Sequence, residues 1–259
     1  MLQASGMEAM TAPATRPDAL DALAARVVIL VGHFGSGKSE IALNLAFSFA
    51  ERGEEVSVVD LDVVKPYFRC RQAREELEAN GIHLVAPEGE LAHADLPIIL
   101  PEIRHLVQRG TAKVLMDVGG DAVGTRALGS LADVVSVENT HNLLVLNFKR
   151  PYTETVDAAV EMVRAIEAAG RLPVTGLVSN THLLGETTPE IVLEGLRLAE
   201  ETAKRVSLPV VAAGVDERTA RALAGRELAC PLIVLKRRIT TPFEPTRQPR
   251  RVGRLFMLN

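Results

Sequence analysis

Tryptophan is absent from the 259 residues and aromatics make up only 3% of them. This argues against a single-stranded nucleic-acid platform, which stacks bases on exposed rings. The net charge of −4 also removes any general attraction to a phosphate backbone, so DNA is not an expected partner. Cysteine occurs twice, at Cys70 and Cys230, far apart and without metal-ligand spacing, so neither a disulfide framework nor a zinc site is indicated. Residues 1–25 hold no basic stretch followed by an apolar one, which argues against a secretory signal. No apolar run reaches the length that crosses a bilayer. These absences predict a cytoplasmic protein.

What is present is a hydrophobic content of 47%, enough to bury one large core. Strand-like apolar runs at Val27–Val31, Val56–Val59, Lys113–Met116, Leu143–Leu146, Val174–Val178, Pro209–Ala213 and Leu232–Leu235 alternate with helical patterns. The helices are expected near Arg69–Asn80, Leu96–Arg109, Thr155–Ala169, Pro189–Arg205 and Glu217–Leu223. Such alternation predicts an α/β fold with a mostly parallel sheet covered by helices on both faces, and a ligand crevice at the carboxyl ends of the strands. The expected organisation is a flexible leader over 1–25, one domain over 26–240 and a basic tail over 241–259. Between Lys236 and Asn259 seven basic residues stand against one acidic residue, a bias typical of an interacting segment. The end, Arg250 to Asn259, joins basic residues to Leu255-Phe256-Met257-Leu258. That composition suits partner docking, packing back on the core, or peripheral contact with an anionic membrane.

Three segments carry chemistry. The first is Gly32-His33-Phe34-Gly35-Ser36-Gly37-Lys38-Ser39, placed between the Val27–Val31 run and a helix patterned by Ile41, Ala42, Leu45, Ala46 and Phe49, with Gly53 as its stop. Strand, Gly-rich loop and helix together form a phosphate cradle. Gly32, Gly35, Ser36 and Gly37 let backbone N–H groups surround phosphate oxygens, Lys38 reaches the terminal phosphates, and the Ser39 hydroxyl ligates Mg²⁺. The second is Asp60-Leu61-Asp62, where a buried run opens into two carboxylates; Asp60 is expected to support the metal and Asp62 to position water and accept its proton. The third is Asp117-Val118-Gly119-Gly120-Asp121. Asp117 at a strand end suits the Mg²⁺ shell, Gly119 and Gly120 suit a γ-phosphate sensor, and Asp121 suits a helix cap.

Together these segments resemble the P-loop ATPases related to MinD, ParA and CobQ/CobB, in the SIMIBI class that also holds nitrogenase iron protein. The resemblance covers most of the chain, and the stretch Asp62-Val63-Val64-Lys65-Pro66-Tyr67-Phe68-Arg69 is similar to the signature of one ATP-binding subgroup. It implies ATP and Mg²⁺ as ligands, a slow hydrolase that signals its bound state to a protein partner, and a nucleotide-dependent homodimer. One departure bears on the last point. Members carry a lysine early in the loop that reaches the phosphates of the partner subunit, and here His33-Phe34-Gly35 fills those positions. Lys65 and Arg69 are then candidate cations in trans. Asn180, in Val178-Ser179-Asn180-Thr181-His182, stands where relatives contact the purine. No N-K-x-D sequence follows, so ATP is expected over GTP. Two alternatives stay open: a small-molecule kinase or ATP-dependent ligase with Lys65, Tyr67, Arg69 and Arg71 as its acceptor site, and a nonhydrolysing nucleotide-gated interaction module.

Overall fold

A computed structural model of the chain describes residues 18–61, 70–86, 101–120 and 122–239. Asp62, Lys65, Tyr67, Arg69 and Asp121, the first part of the leader and the basic tail lie outside the described residues. The elements run α1 (Ala19–Ala22), β1 (Val27–Val31), α2 (Lys38–Glu51), β2 (Val56–Leu61), α3 (Arg74–Ala79), β3 (His83–Val85), α4 (Pro101–Arg109), β4 (Lys113–Val118), α5 (Ala122–Gly129), β5 (Thr140–Leu146), α6 (Val156–Gly170), β6 (Gly176–Ser179), α7 (Pro189–Val206), β7 (Val210–Asp216), α8 (Glu217–Ala222) and β8 (Leu232–Leu235).

The eight strands form one sheet in the order β3-β2-β4-β1-β5-β6-β7-β8, with every neighbouring pair parallel. Continuous apolar runs become strands here because both faces are covered, so alternate residues enter different cores. In β1, Val28 and Leu30 pack with Ile41, Leu45 and Phe49 of α2 on one face. Val27, Ile29 and Val31 pack with Ile103, Val163 and Ala199 on the other. Each fully buried Leu, Ile or Phe adds about 1.5–3 kcal/mol of hydrophobic stabilisation. As the central strand, β1 lies between β4 and β5. Its carboxyl end is thus the point where the order of connection reverses, which is where open α/β sheets hold ligands.

Helix ends follow local chemistry. Gly53, at φ 82°, takes the left-handed position just after α2, as expected of a helix-stopping glycine. The Thr155 and Thr188 hydroxyls accept the N–H of Ala158 and Ile191 at the starts of α6 and α7. At the carboxyl end of β8, Asn44 of α2 exchanges two bonds with the Lys236 backbone at 2.8 and 2.9 Å. Glu40 accepts the Arg238 and Ile239 N–H groups at 2.5 and 3.2 Å. Burial raises the Glu40 pKa above the ordinary carboxylate value, against the lowering effect of these bonds. The chain leaving β8 is thereby tied across the start of α2.

Two elements, β3 and α1, were not expected from the sequence, and a third, α5, was expected only as a helix that Asp121 could cap. β3 has three residues, too few to show a period. α5 contains Gly124 and Gly129, which lower helix propensity. The two glycines serve packing: a Cβ on Gly124 would lie 2.6 Å from Gly119, and one on Gly129 would lie 3.0 Å from the Ala169 carbonyl at the end of α6. α1 falls within the stretch read as a leader, where Asp18 caps it, Leu23 is fully buried, and the buried Lys113 ammonium donates to the Leu23 carbonyl at 2.6 Å.

Candidate functional site

The loop between β1 and α2 takes its shape from three glycines at positive φ: Gly32 at 144°, Gly35 at 80° and Gly37 at 90°. Side chains seldom adopt such angles, and the space is closed as well: a Cβ on Gly32 would sit 2.5 Å from the Val145 carbonyl oxygen. Lys38 opens α2, is almost wholly buried, and donates from Nζ to the His33 carbonyl at 3.3 Å. The Ser36 hydroxyl is buried without a hydrogen-bond partner among the described residues.

Ser39, one residue further along α2, donates from Oγ to Asp117 Oδ2 at 2.5 Å. Asp117 comes from β4, and the register of β2 on β4 sets Asp60 directly beside it. Both carboxylates are fully buried. Serine, Asp117 and Asp60 thus converge through strand pairing from positions far apart in sequence. The turn after β4 then touches the loop, since a Cβ on Gly120 would lie 1.8 Å from the Gly32 carbonyl oxygen. Cys70, which the sequence did not single out, lies in a short 3-10 turn before α3 with Sγ 3.5 Å from Asp117 Oδ2. Burial, then the nearby Asp117 and Asp60 charges, push its thiol pKa well up, so it stays protonated.

The opposite wall of the site comes from β5, β6 and β7. A cleft of about 880 Å³ runs from His33, Gly35 and Lys38 past Arg150, Asn180 and His182 to Asp216 and Arg218. Asn180 is buried beneath the loop: its amide donates to the Ser36 carbonyl at 2.6 Å, and a Cβ on Gly37 would lie 2.2 Å from that nitrogen. It therefore supports the loop's shape from the place where the sequence suggested purine contact. Asn147, at the end of β5, donates to the Gly35 and His182 carbonyls at 3.4 and 3.3 Å and accepts the His182 N–H at 3.3 Å. It joins three segments. Nothing in its sequence neighbourhood marks it, because its partners lie 112 and 35 residues away.

His182 accepts the Leu184 N–H at Nδ1 at 3.3 Å, which assigns its proton to Nε2, and Nε2 faces Gly37. Burial first, and the Arg150 charge second, lower its pKa from 6.5 to about 4. The imidazole is therefore a neutral donor at pH 7. Between pH 6.5 and 4 the unfolded chain binds a proton here that the folded chain does not, so stability contributed by His182 is present above pH 6.5 and lost as pH falls to 4. The shift sets an upper bound of about 3 kcal/mol. Urea unfolding of His182→Gln and the wild type at pH 7 and pH 4.5 is expected to show a smaller acid-induced fall in the variant. Parallel falls would mean that His182 titrates normally.

Among the described residues no helix is long and apolar enough to cross a membrane, and no group of three or more His, Cys, Asp or Glu side chains is arranged to hold a metal.

Several solved structures are similar to this chain. FtsY from Mycoplasma mycoides aligns with a TM-score of 0.50 at 15% identity, over 73% of this chain and 60% of that one. The cell division protein FtsY from Thermotoga maritima gives 0.48 at 19% identity, over 79% and 64%. The signal recognition particle receptor FtsY from Elizabethkingia anophelis, in complex with GDP, gives 0.49 at 19%, over 81% and 60%. At 15% identity the likeness to the Mycoplasma mycoides structure concerns the fold alone, and the chain spans 60 to 64% of the length of these three structures. No curated protein matches the chain. A family model described as the CobQ/CobB/MinD/ParA nucleotide binding domain matches residues 27–192, a span that holds the phosphate loop, Asp60, Asp117 and Asn180. With well over half of its length matched, the chain belongs to the CobQ/CobB/MinD/ParA family of P-loop NTPases.

Proposed function

We propose that the protein binds ATP with Mg²⁺ in the cleft along the phosphate loop, hydrolyses it slowly, and conveys the bound state to a partner protein. The observation that carries this reading is the 2.5 Å contact between Ser39 Oγ and Asp117 Oδ2 beside Lys38. Hydroxyl and carboxylate oxygens form a hard donor set suited to Mg²⁺, which takes few protein ligands and completes its shell with phosphate and water oxygens. Ser39 and Asp117 would hold the ion, with the adjacent Asp60 supporting them. When bound, it would neutralise charge on the β- and γ-phosphate oxygens.

The chain's own groups do the rest. Backbone N–H groups of Gly35 to Ser39 bind phosphate oxygens at the α2 N-terminus. Lys38 exchanges the His33 carbonyl for the terminal phosphates, and Asp62 accepts the proton of the attacking water. Gly120, packed against Gly32, and Gly119, packed against Gly124 of α5, sense the γ-phosphate and pass its loss to the α5–α6 pair. Exposed Phe34 and Tyr152 beside the loop supply an apolar surface for a protein partner or a second copy of the chain.

Adenine is the base the cleft suits. Leu183 stands where a guanine-reading acid would be needed. Both carboxylate oxygens of Asp216 are engaged by the N–H and hydroxyl of Thr219 at the start of α8. A missing acceptor for the guanine edge costs about 1–3 kcal/mol, so ATP is expected to bind roughly tenfold or more tightly than GTP. Competition against a fluorescent ATP analogue, followed by phosphate-release assays with Mg²⁺, tests both parts. Stronger displacement by GTP would overturn the base assignment, and binding without phosphate release, partner present, would overturn the hydrolase.

A further inference from the structure

Four cationic side chains line the described cleft: Lys38, Arg150, Arg218 and Arg237. Three of them are engaged. Lys38 donates to the His33 carbonyl, Arg218 donates to the Gly185 and Thr187 carbonyls, and Arg237 has a partner within the protein. Lys149, beside Arg150, pairs with Glu194 at 2.9 Å. Arg150 differs, because its Nε is buried without a hydrogen-bond partner among the described residues. A buried donor left unsatisfied forfeits its hydration without return, and the cost is greater when the group is charged. The acids of the cleft wall do not relieve it, since Glu40 is engaged by the Arg238 and Ile239 backbone and Asp216 by Thr219.

The place of this guanidinium is fixed by the loop that carries it. The Arg150 N–H donates to the Asn147 carbonyl at 3.1 Å, the Thr153 N–H donates to the Arg150 carbonyl at 3.2 Å, and the Thr153 hydroxyl donates to the Asn147 carbonyl at 2.7 Å. Tyr152 follows Pro151 at φ 69° and sets its ring 4.7 Å from that of His33. Asn147 reaches the Gly35 carbonyl. The loop after β5 is therefore docked on the phosphate loop at two points. Between them Arg150 lies against Gly35: a Cβ on that glycine would be 3.4 Å from both Cδ and Nε. His182 lines the same cleft, where the Arg150 charge adds to burial in lowering the imidazole pKa.

We infer that Arg150 is a phosphate-binding residue, a second cation that this chain supplies in cis to the polyphosphate lying along Gly35 to Ser39. The inference rests on the reading of the cleft as an ATP site and deepens it. A guanidinium is a donor-only fork matched to phosphate oxygens, and the phosphate loop is where such oxygens come within reach of Nε. His33 occupies the position at which the resembling ATPases carry a lysine for the partner's phosphates. Arg150 provides a second charge without a partner subunit, so one copy of the chain holds the polyphosphate between Lys38 and Arg150.

The test titrates the full chain with Mg²⁺ and either ATP or inorganic tripolyphosphate, which lacks base and ribose, by calorimetry. Arg150→Ala is expected to weaken both ligands in parallel, by about tenfold to a hundredfold as for a charge-assisted bond, with Arg150→Lys recovering part of the loss. Arg150→Gln retains a stem to pack on Gly35 and removes the charge, so it gives the same readout should the alanine variant fail to fold. Wild-type affinity for both ligands in Arg150→Gln overturns the inference, and so does a loss confined to ATP, which would assign the side chain to ribose or base. In either case the ATP site itself stands. Wild-type protein that binds neither ATP nor tripolyphosphate overturns the ATP reading and this inference with it.

Discussion

Replacing Lys38 with Ala, or Asp117 with Ala, is expected to reduce phosphate release from Mg²⁺-ATP by on the order of a thousandfold or more, the scale of losing a group that stabilises transition-state charge. Lys38 begins α2 from within the loop and holds the His33 carbonyl before any phosphate arrives. Its alanine variant loses the ammonium while keeping the backbone cradle, so the fold persists and the loss appears in turnover and triphosphate affinity together. Asp117 acts differently. It is the acceptor for Ser39 Oγ and lies beside Asp60, so its removal leaves the hydroxyl without the partner that aims it. Removing one of two neighbouring buried carboxylates also relieves like-charge repulsion, which offsets part of the lost hydrogen bonding, and the melting temperature should change little. Asp62→Asn provides the contrast, with ATP affinity kept and hydrolysis slowed, because neutralising a water-positioning group spares the binding contacts. Phosphate release at the wild-type rate in Lys38→Ala or Asp117→Ala would remove these residues from the chemistry. Equal losses of binding and turnover in Asp62→Asn would move that carboxylate to the metal.

The parts of this site that the sequence showed are those whose chemistry is local. Gly32 to Ser39 is contiguous, and its glycines are needed for backbone angles that the motif itself demands. Asp60 and Asp117 were legible for another reason: each stands at the end of an apolar run, and parallel strands in one sheet bring such ends to a common edge. Asn147 and Arg150 were hidden because nothing near them in sequence marks a loop that will dock on Gly35, more than a hundred residues earlier. Asn180 was visible as a polar residue after a strand, yet only packing reveals that its amide holds the Ser36 carbonyl. α5 shows the same limit at the level of secondary structure. Gly124 and Gly129 lower helix propensity, yet both lie within α5, where close approach to Gly119 and α6 leaves no room for a larger residue.

That close approach makes Gly120→Ala the substitution with the largest expected effect on stability. The added Cβ would lie 1.8 Å from the Gly32 carbonyl oxygen, 2.6 Å from its carbon and 2.9 Å from the His33 Cα. All three atoms are backbone, so no side chain can rotate away and the turn after β4 must separate from the start of the phosphate loop. Overpacking of this kind costs about 1–3 kcal/mol where side chains can adjust, so about 3 kcal/mol or more is expected here. In a chain of this size that lowers Tm by roughly 6–12 °C. Because Gly32 is the first residue of the loop, the separation should also weaken ATP binding, by about a hundredfold if the cradle loses two of its phosphate bonds at about 1–1.5 kcal/mol each. Gly53→Ala is the control. It imposes a left-handed angle of 82° on alanine and meets nothing within 4 Å, so it should cost about 1–2 kcal/mol from backbone strain and leave ATP affinity unchanged. Thermal unfolding and nucleotide titration of the two variants separate strain from contact. If Gly120→Ala behaves like Gly53→Ala in both measurements, the turn after β4 does not bear on the loop, and Gly120 cannot pass the state of the γ-phosphate to α5.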